Sequence, residues 1–467
     1  MADHVCTTVG QLNTAFANAV AGDNILPRGV EGGGSGYYQT TNDTTGVSEV
    51  RINAGFHFAN SGSSGNPITL KPYPGDTPPT LSNRPSGSPS YFRFPTITVG
   101  ANSYITIDGI KVDGAIYVFS DQNGGSWSIT GTTMTGGGTR NIVKNCEIWE
   151  GWETTANGGD GNWAGIFGCG QTFLLLQSNL IHDINGTANC NNMSSMTGIK
   201  LFSCIDTITE YNTVYKVIGY SQAACLDDKQ DSIRNTHRFN WFEDVSTGPR
   251  IQNQKSGAGA SAATGTKFYQ NLIFLGNYNG RGFTHEAGPI TDYEFYNNSI
   301  VAMLGSVLPG SDDGVAYAGN DDYPATAGYG GAKFYNNIFY GPTASKNLAA
   351  YAQMFASGGL CDYNHYSDTT LDFRYYLTTY ADLAAWQAVF DANATSGNPL
   401  FTNASGQILT LEAGSPCINT GKVGGVSGGA NITKGCYITG SEQIGHVAPP
   451  ADPTNPLPPF ITIMRRL

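Results

Sequence analysis

The sequence predicts an all-β chain wound as a parallel β-helix, a solenoid with an N-terminal capping helix. Three observations predict it: a glycine-rich, charge-poor composition, a short Asn-centred phrase that recurs at variable spacing, and an amphipathic segment at the start. The chain has 467 residues, of which 61 are Gly and only 13% are charged. Glycine supplies positive φ and Asn tolerates it, so this mixture suits many short strands joined by tight turns. The glycines follow no three-residue period, which excludes collagen. Length alone would suggest about three domains. A fold that grows along one axis escapes that bound, because each added coil brings its own slice of core.

The elements follow in order. Thr7 to Val20 (TTVGQLNTAFANAV) places Val9, Leu12, Phe16 and Val20 at helical spacing, with Thr7 or Thr8 as N-cap. Such a helix would cover the open first coil and protect its edge. Residues 67–71 (PITLK) and 102–118 (NSYITIDGIKVDGAIYV) read as early coils with alternating strands. Then comes the recurring phrase, an aromatic or polar residue, Asn, any residue, and a β-branched or aromatic residue. It occurs at Asn145, Asn179, Asn212, Asn240, Asn271, Asn298, Asn337 and Asn364, with separations of 34, 33, 28, 31, 27, 39 and 27. A constant phrase with a variable period means a fixed coil core carrying loops of variable length, and leucine-rich repeats or propeller blades hold tighter periods. Each Asn is expected inside a turn, its amide bonded to the equivalent Asn above and below. Residues 380–391 (YADLAAWQAVFD) read as a helix inserted between the last coils, and the chain turns Pro-rich after Gly445. One domain over 1–445 and a tail over 446–467 result.

The net charge of −12 and pI near 4.9 repel nucleic acid and anionic membranes. The same charge would repel a polyanionic glycan except at a local basic patch. No apolar run is long enough to span a bilayer, so neither nucleic acid nor membrane insertion is expected, and the oligomeric state is left open. No leader is visible in Met1-Ala2-Asp3-His4-Val5-Cys6. An extracellular or secreted protein would then have lost its leader, or leave its cell another way, for example in a phage particle. None of the nine cysteines forms a CxxC pair, which argues against zinc or redox chemistry. Cys417 and Cys436 flank a Gly-rich loop and suit either a disulfide or two small core residues.

Five segments begin similar coils: GIFGC (165–169), GIKLF (198–202), CLDDK (225–229), RIQNQ (250–254) and GFTHE (282–286). If Ile166, Ile199, Leu226, Ile251 and Phe283 align and point inward, their neighbours point outward. One sheet face then collects Lys200, Asp227, Lys229, Arg250, Gln252, Gln254 and Glu286. Stacked strands lie about 4.8 Å apart, so charged residues on adjacent coils meet. Lys229 and Arg250 are 21 residues apart, one minimal coil. A solvated face with paired charges fits the same pattern. His237 lies in NTHRF within the same coil, and Trp163 could stack on a sugar ring. His285 falls among inward positions and reads as a core histidine.

The opening TTVGQLNTAFANAVAGDNI, the phrase FANSGSSGNPITLKPYPGD at 58–76, the Asn repeat and LEAGSPCINTG at 411–421 together resemble secreted right-handed parallel β-helix proteins, many of them polysaccharide lyases. The stretch KQDSIRNTHRFNWFEDVSTGPRI, Lys229 to Ile251, is similar to the alginate lyase and chondroitin lyase family of that fold. The resemblance implies β-elimination on an acidic, uronate-containing polysaccharide. Lys229 would abstract the proton α to the carboxylate, and Arg250 would protonate or stabilise the leaving oxygen. Lys200, Gln252, Gln254, His237 and Trp163 are the candidate substrate contacts. The family's calcium ligands lie five and seven residues before the lysine, where this chain has Ala224 and Gln222. A calcium ion, if bound, would fall instead to Asp227, Asp228 and Glu286. Asp227-Asp228 followed by Arg250-Ile251-Gln252 also resembles polygalacturonase-type β-helix hydrolases, without their Gly-His-Gly element. A non-catalytic, glycan-adhering β-helix, such as a phage tail spike or surface-filament component, is the alternative outside enzymology.

Overall fold

The computed structural model describes residues 1–40, 55–83, 95–119, 137–149, 152–153, 162–186, 195–218, 223–245, 247–253, 263–275, 282–286, 290–302, 318–319, 329–341, 348–350, 355, 358–367, 373–375, 378–404 and 407–446. Three long parallel sheets form a right-handed parallel β-helix. Among the described residues sheet 1 has 12 strands, from Asp3–Cys6 to Leu360–Asp362; sheet 2 has 9, from Phe56–His57 to Ala318–Gly319; sheet 3 has 13, from Tyr37–Gln39 to Thr395–Ser396. One coil contributes a strand to each in turn, as in Ala224–Lys229 (sheet 2), Thr236–Arg238 (sheet 1) and Trp241–Val245 (sheet 3). Arg250–Gln252 then begins the next coil beside Ala224–Lys229.

The first coil is covered by a helix over Val9–Asn18. Thr8 caps it by accepting from the Gln11 N–H at 3.3 Å, while Gln11 Oε1 accepts the Thr8 N–H at 3.2 Å. This reciprocal pair satisfies two otherwise orphaned donors. The helix buries Leu12, Ala15 and Phe16, with Phe16 against Phe56 and Phe58 at ring distances of 5.5 and 4.6 Å. Val20 lies past the helix end and is 54% exposed, so the apolar stripe stops one turn earlier than its spacing suggests. A second helix, Leu383–Gln387, buries Leu383 and Trp386, and Trp386 stacks on Phe373.

The turn from sheet 1 to sheet 3 carries the asparagines. Asn179, Asn212, Asn240, Asn271, Asn298, Asn337 and Asn364 lie one above another in a buried ladder. Each Oδ1 from Asn212 onward accepts the backbone N–H and the side-chain N–H of the Asn one coil before, at 2.9–3.1 Å. Asn145 is not a rung of this ladder. Glu147 pairs with Leu180, so Cys146 holds the ladder position and donates its N–H to Asn179 Oδ1 at 3.1 Å. Asn145 takes instead the left-handed position before the rung, with φ of 53°, like Ser178, Tyr211 and Phe239. Its amide reaches Asp108 Oδ1 at 2.7 Å.

Asp391 ends the ladder. It accepts the Asn364 backbone N–H at 3.2 Å, the Asn364 side-chain N–H at 2.9 Å and the Tyr366 hydroxyl at 2.7 Å. Burial pushes its carboxyl up to about 6 in spite of these donors. A carboxyl raised on folding stabilises the fold fully below its unfolded value and loses that contribution as pH rises through the folded one. Stability should therefore fall by about 2 kcal/mol through Asp391 between pH 4 and 7. Buried His365 and His285, pushed down to about 4 and about 3, act oppositely below pH 6.5. Urea unfolding of the native chain and Asp391→Asn at both pH values isolates the Asp391 part. Equal pH dependence in the two proteins would refute it.

After the last rung the chain turns back along the outside of sheet 3. Lys422 O and N–H bond Asn336, the Cys436 N–H donates to Ser299 Oγ, the Gly445 N–H to Phe239 O, and the His446 N–H to Thr213 Oγ1. This strap packs Leu409, Cys436 and Ile444 on Leu272, Phe274 and Val301. Cys417 and Cys436 are separate buried thiols and form no disulfide with each other. Burial pushes both up to about 12, which makes them inert. The Pro-rich segment 447–467 lies outside the described residues. Among the described residues no helix is long and apolar enough to cross a membrane.

Candidate functional site on the outer face of sheet 2

Alternation along Ala224–Lys229 divides its side chains between two surroundings. Asp228 meets Asn235, His237 and Thr266 inside the solenoid. Asp227 and Lys229 therefore face outward. In register, the first outward column runs Tyr117, Phe167, Lys200, Asp227, Arg250, Thr284. The second runs Cys169, Phe202, Lys229, Gln252.

Asp227 is the hub of this face. Arg250 donates to both of its carboxylate oxygens, Nε to Oδ1 at 3.0 Å and Nη2 to Oδ2 at 2.6 Å. Lys229 Nζ lies 3.2 Å from the same Oδ2. Burial would raise the Asp227 carboxyl, but the charges of Arg250 and Lys229, the Arg250 hydrogen bonds and the Lys200 charge hold it well below the usual carboxylate range. Lys229 Nζ also sits 5.5 Å from the centre of the Phe202 ring, within cation–π reach. Lys229 and Arg250 are 3% and 1% exposed, and Lys200 and Asp227 are fully buried.

The expected alignment of inward residues is corrected by one pair of positions. Ile166, Ile199 and Leu226 are in register, but Ile251 pairs with Asp228, not with Leu226. A two-residue shift keeps every side chain on its face, so the outward set survives while its pairings change. Lys200, Asp227, Lys229, Arg250 and Gln252 do come together. His237 is not a substrate contact on this face: it points into the solenoid, is fully buried, and bonds Asp228 and Thr209. His285 is a core residue as expected, bonded to the Tyr293 hydroxyl at 3.1 Å. The main chain of Trp163 lies in the strand Asn162–Cys169, and Glu286 follows Gln252 in register. Gln254 lies outside the described residues.

The residues present do not fit a calcium site at Asp227, Asp228 and Glu286. Calcium takes 6–8 oxygen ligands that must converge on one ion. Here Asp227 and Asp228 face opposite ways, and each is already held by nitrogen donors. No group of three His, Cys, Asp or Glu side chains suited to a metal occurs among the described residues.

Sequence reasoning missed the aromatic half of this face. Tyr117, Phe119, Phe167 and Phe202 form a chain of ring contacts at 5.1–5.5 Å that runs into the cation cluster. Their even spacing within each strand carried the signal. Only the charged columns were read as informative.

No family model matches the sequence, and no curated protein matches it. Solved structures do match. The chain is similar in fold to parallel β-helix polysaccharide lyases. Pectate lyase Pel9A superposes with a TM-score of 0.48 at 13% identity, covering 91% of this chain and 90% of that one. An alginate lyase from Paenibacillus sp. str. FPU-7 gives 0.37 at 14% identity over 85% and 98%. A mannuronic acid specific family 6 lyase from human gut microbiota gives 0.41 at 12% over 79% and 87%. At these identities the likeness is one of architecture.

Proposed function

We propose that the chain is a polysaccharide lyase that cleaves a uronate-containing glycan by β-elimination, outside the cell, on the outer face of sheet 2. The observation that carries this reading is the convergence of Lys200, Lys229 and Arg250, from three adjacent coils, on Asp227. Lys200 and Arg250 would offset the uronate carboxylate and make the adjacent C–H more acidic. The Lys229 ammonium must first release its proton to solvent; the amine so formed takes the proton at C5, and the electron pair forms the C4–C5 double bond. The C4–O4 bond breaks with its pair on O4, which Arg250 stabilises by donating a hydrogen bond and which takes its proton from solvent, while Lys229 returns the C5 proton to solvent. The products are an unsaturated sugar and a chain ending in a hydroxyl.

A second reading is favoured by the burial of the same side chains. Lys229 and Arg250 at 3% and 1% exposure, both bound to Asp227, suit an internal ion cluster in a glycan-adhering β-helix without catalysis. One assay separates the readings. Alginate, pectate, chondroitin and hyaluronan are each incubated with the protein, with and without calcium, and the ultraviolet absorbance of the conjugated product is followed. Lys229→Met should lower that rate by about 10²–10⁴-fold, the share usual for general acid–base catalysis. New reducing ends without absorbance would mean hydrolysis. Binding with neither signal would leave adhesion.

A further inference from the structure

We infer that Asp228 and His237, with Thr209, Asn235 and Thr266, form a register lock inside the solenoid that sets Asp227 opposite Arg250. Only the functional consequence of this lock rests on the lyase reading; the lock itself concerns which residues face each other.

The five side chains are fully buried and form a polar island between apolar columns. On sheet 2, the inward neighbours of Asp228 are Leu201 and Ile251. On sheet 1, the column runs Leu176, Thr209, His237, Phe268. Asp228 accepts from Asn235 Nδ2 at 3.1 and 3.2 Å, from His237 Nε2 at 3.2 Å and from the Thr266 hydroxyl at 3.3 Å. With Nε2–H donating there, His237 Nδ1 accepts from the Thr209 hydroxyl at 2.8 Å. Asn235 Oδ1 in turn accepts the Thr207 N–H at 2.9 Å. Three successive coils are tied through one carboxylate.

The apolar pattern cannot do this work. A one-residue slip of Ala224–Lys229 would turn every side chain to the wrong face, but a two-residue slip would not. In that slipped register Leu226 would oppose Ile251, a better apolar match than Asp228 makes. Asp227 would then oppose Gln252, and Cys225 would oppose Arg250. The outward ion cluster would come apart while the hydrophobic core stayed satisfied. What opposes the slip from inside is Asp228, which would leave four hydrogen bonds and carry an uncompensated carboxylate along an apolar wall. Asp228 and His237 are thus positioning residues for groups on the other side of the sheet.

Register is read directly by cross-linking. Lys229 and Gln252 are paired, so a chain with Lys229→Cys and Gln252→Cys should form a disulfide under mild oxidation, identified by peptide mapping. Adding Asp228→Leu should slow that cross-link at least tenfold while the β circular dichroism and cooperative unfolding persist. Asp228→Asn keeps the shape and, with the other His237 tautomer, the bonds, and should cross-link at the native rate. In the otherwise native chain, Asp228→Leu should depress kcat at least 100-fold with little change in KM. A folded Asp228→Leu chain that cross-links at the native rate overturns the lock. Should Asp228→Leu not fold, His237→Phe is read the same way, and loss of the fold in both also overturns it, because a lock predicts a shifted but folded solenoid. Cross-linking needs no activity, so a protein inert on every glycan would end the lyase reading and leave this result standing.

Discussion

Removing the Asp227 carboxylate should destabilise the protein by about 3–5 kcal/mol, the cost of breaking a buried ion pair from one side. Asp227→Ala leaves the Arg250 guanidinium and the Lys229 ammonium buried without the oxygens that now lie 2.6–3.2 Å away. Arg250→Ala should cost a comparable amount, since it strands the carboxylate in the opposite sense. The double variant should be much less damaging than the two losses added together, giving a coupling of at least about 2 kcal/mol. Urea unfolding measures all four corners, with an unchanged m-value confirming that only stability has moved. A loss below about 1 kcal/mol for Asp227→Ala, the range of exposed pairs, would show that water reaches the cluster freely.

Asn271→Ala should cost about 3–5 kcal/mol, because it strands two buried donors of Asn240 and removes a donor from two buried acceptors. Asn271 Oδ1 receives two N–H groups from Asn240, at 3.1 and 3.0 Å, and its own amide donates to His237 O and Asn298 Oδ1, both at 3.0 Å. Nothing in a dry turn replaces them. Asn145→Ala is the informative contrast. It fits the same sequence phrase, yet it should cost only about 1 kcal/mol, from the strain of Ala at positive φ and one part-buried contact. Thermal and urea unfolding of the two variants side by side decide whether position on the ladder, rather than the phrase, sets the energy. Equal losses would contradict the register.

Much of this fold was legible because a ladder of identical side chains leaves the same letter at every coil. Asn179 to Asn364 each occupy one structural position, whatever loop length separates them. Asn145 misled because the neighbouring left-handed position also favours Asn, and two adjacent positions with one preference cannot be told apart by composition. The outward set at Lys200, Asp227, Lys229, Arg250 and Gln252 was legible from alternation, which fixes the face of a side chain. Pairing was not, because alternation repeats every two residues and Leu226 is as good an inward residue as Asp228. His237 was misplaced for a related reason: its strand is three residues long, and a His flanked by Thr and Arg gives no clue to which member turns in. Residues 400–446 carried the family-like LEAGSPCINTG but no periodic signal that would place them on the solenoid. Their partners, such as Thr213 for His446, are chosen by long-range packing and not by a local period.

That returning segment changes how the molecule can come apart. Stacked-coil proteins are commonly treated as one-dimensional arrays in which an end frays while the middle holds. Here His446 is fastened to the coil of Ser178, 268 positions earlier in the chain, while Lys434 is anchored under Asn364 and Thr395. Losing the last coil would pull away the staple that holds a coil near the centre. The array is thereby turned into a loop of mutual dependence, and opening from the carboxyl end becomes a matter for the whole barrel-length of the protein at once.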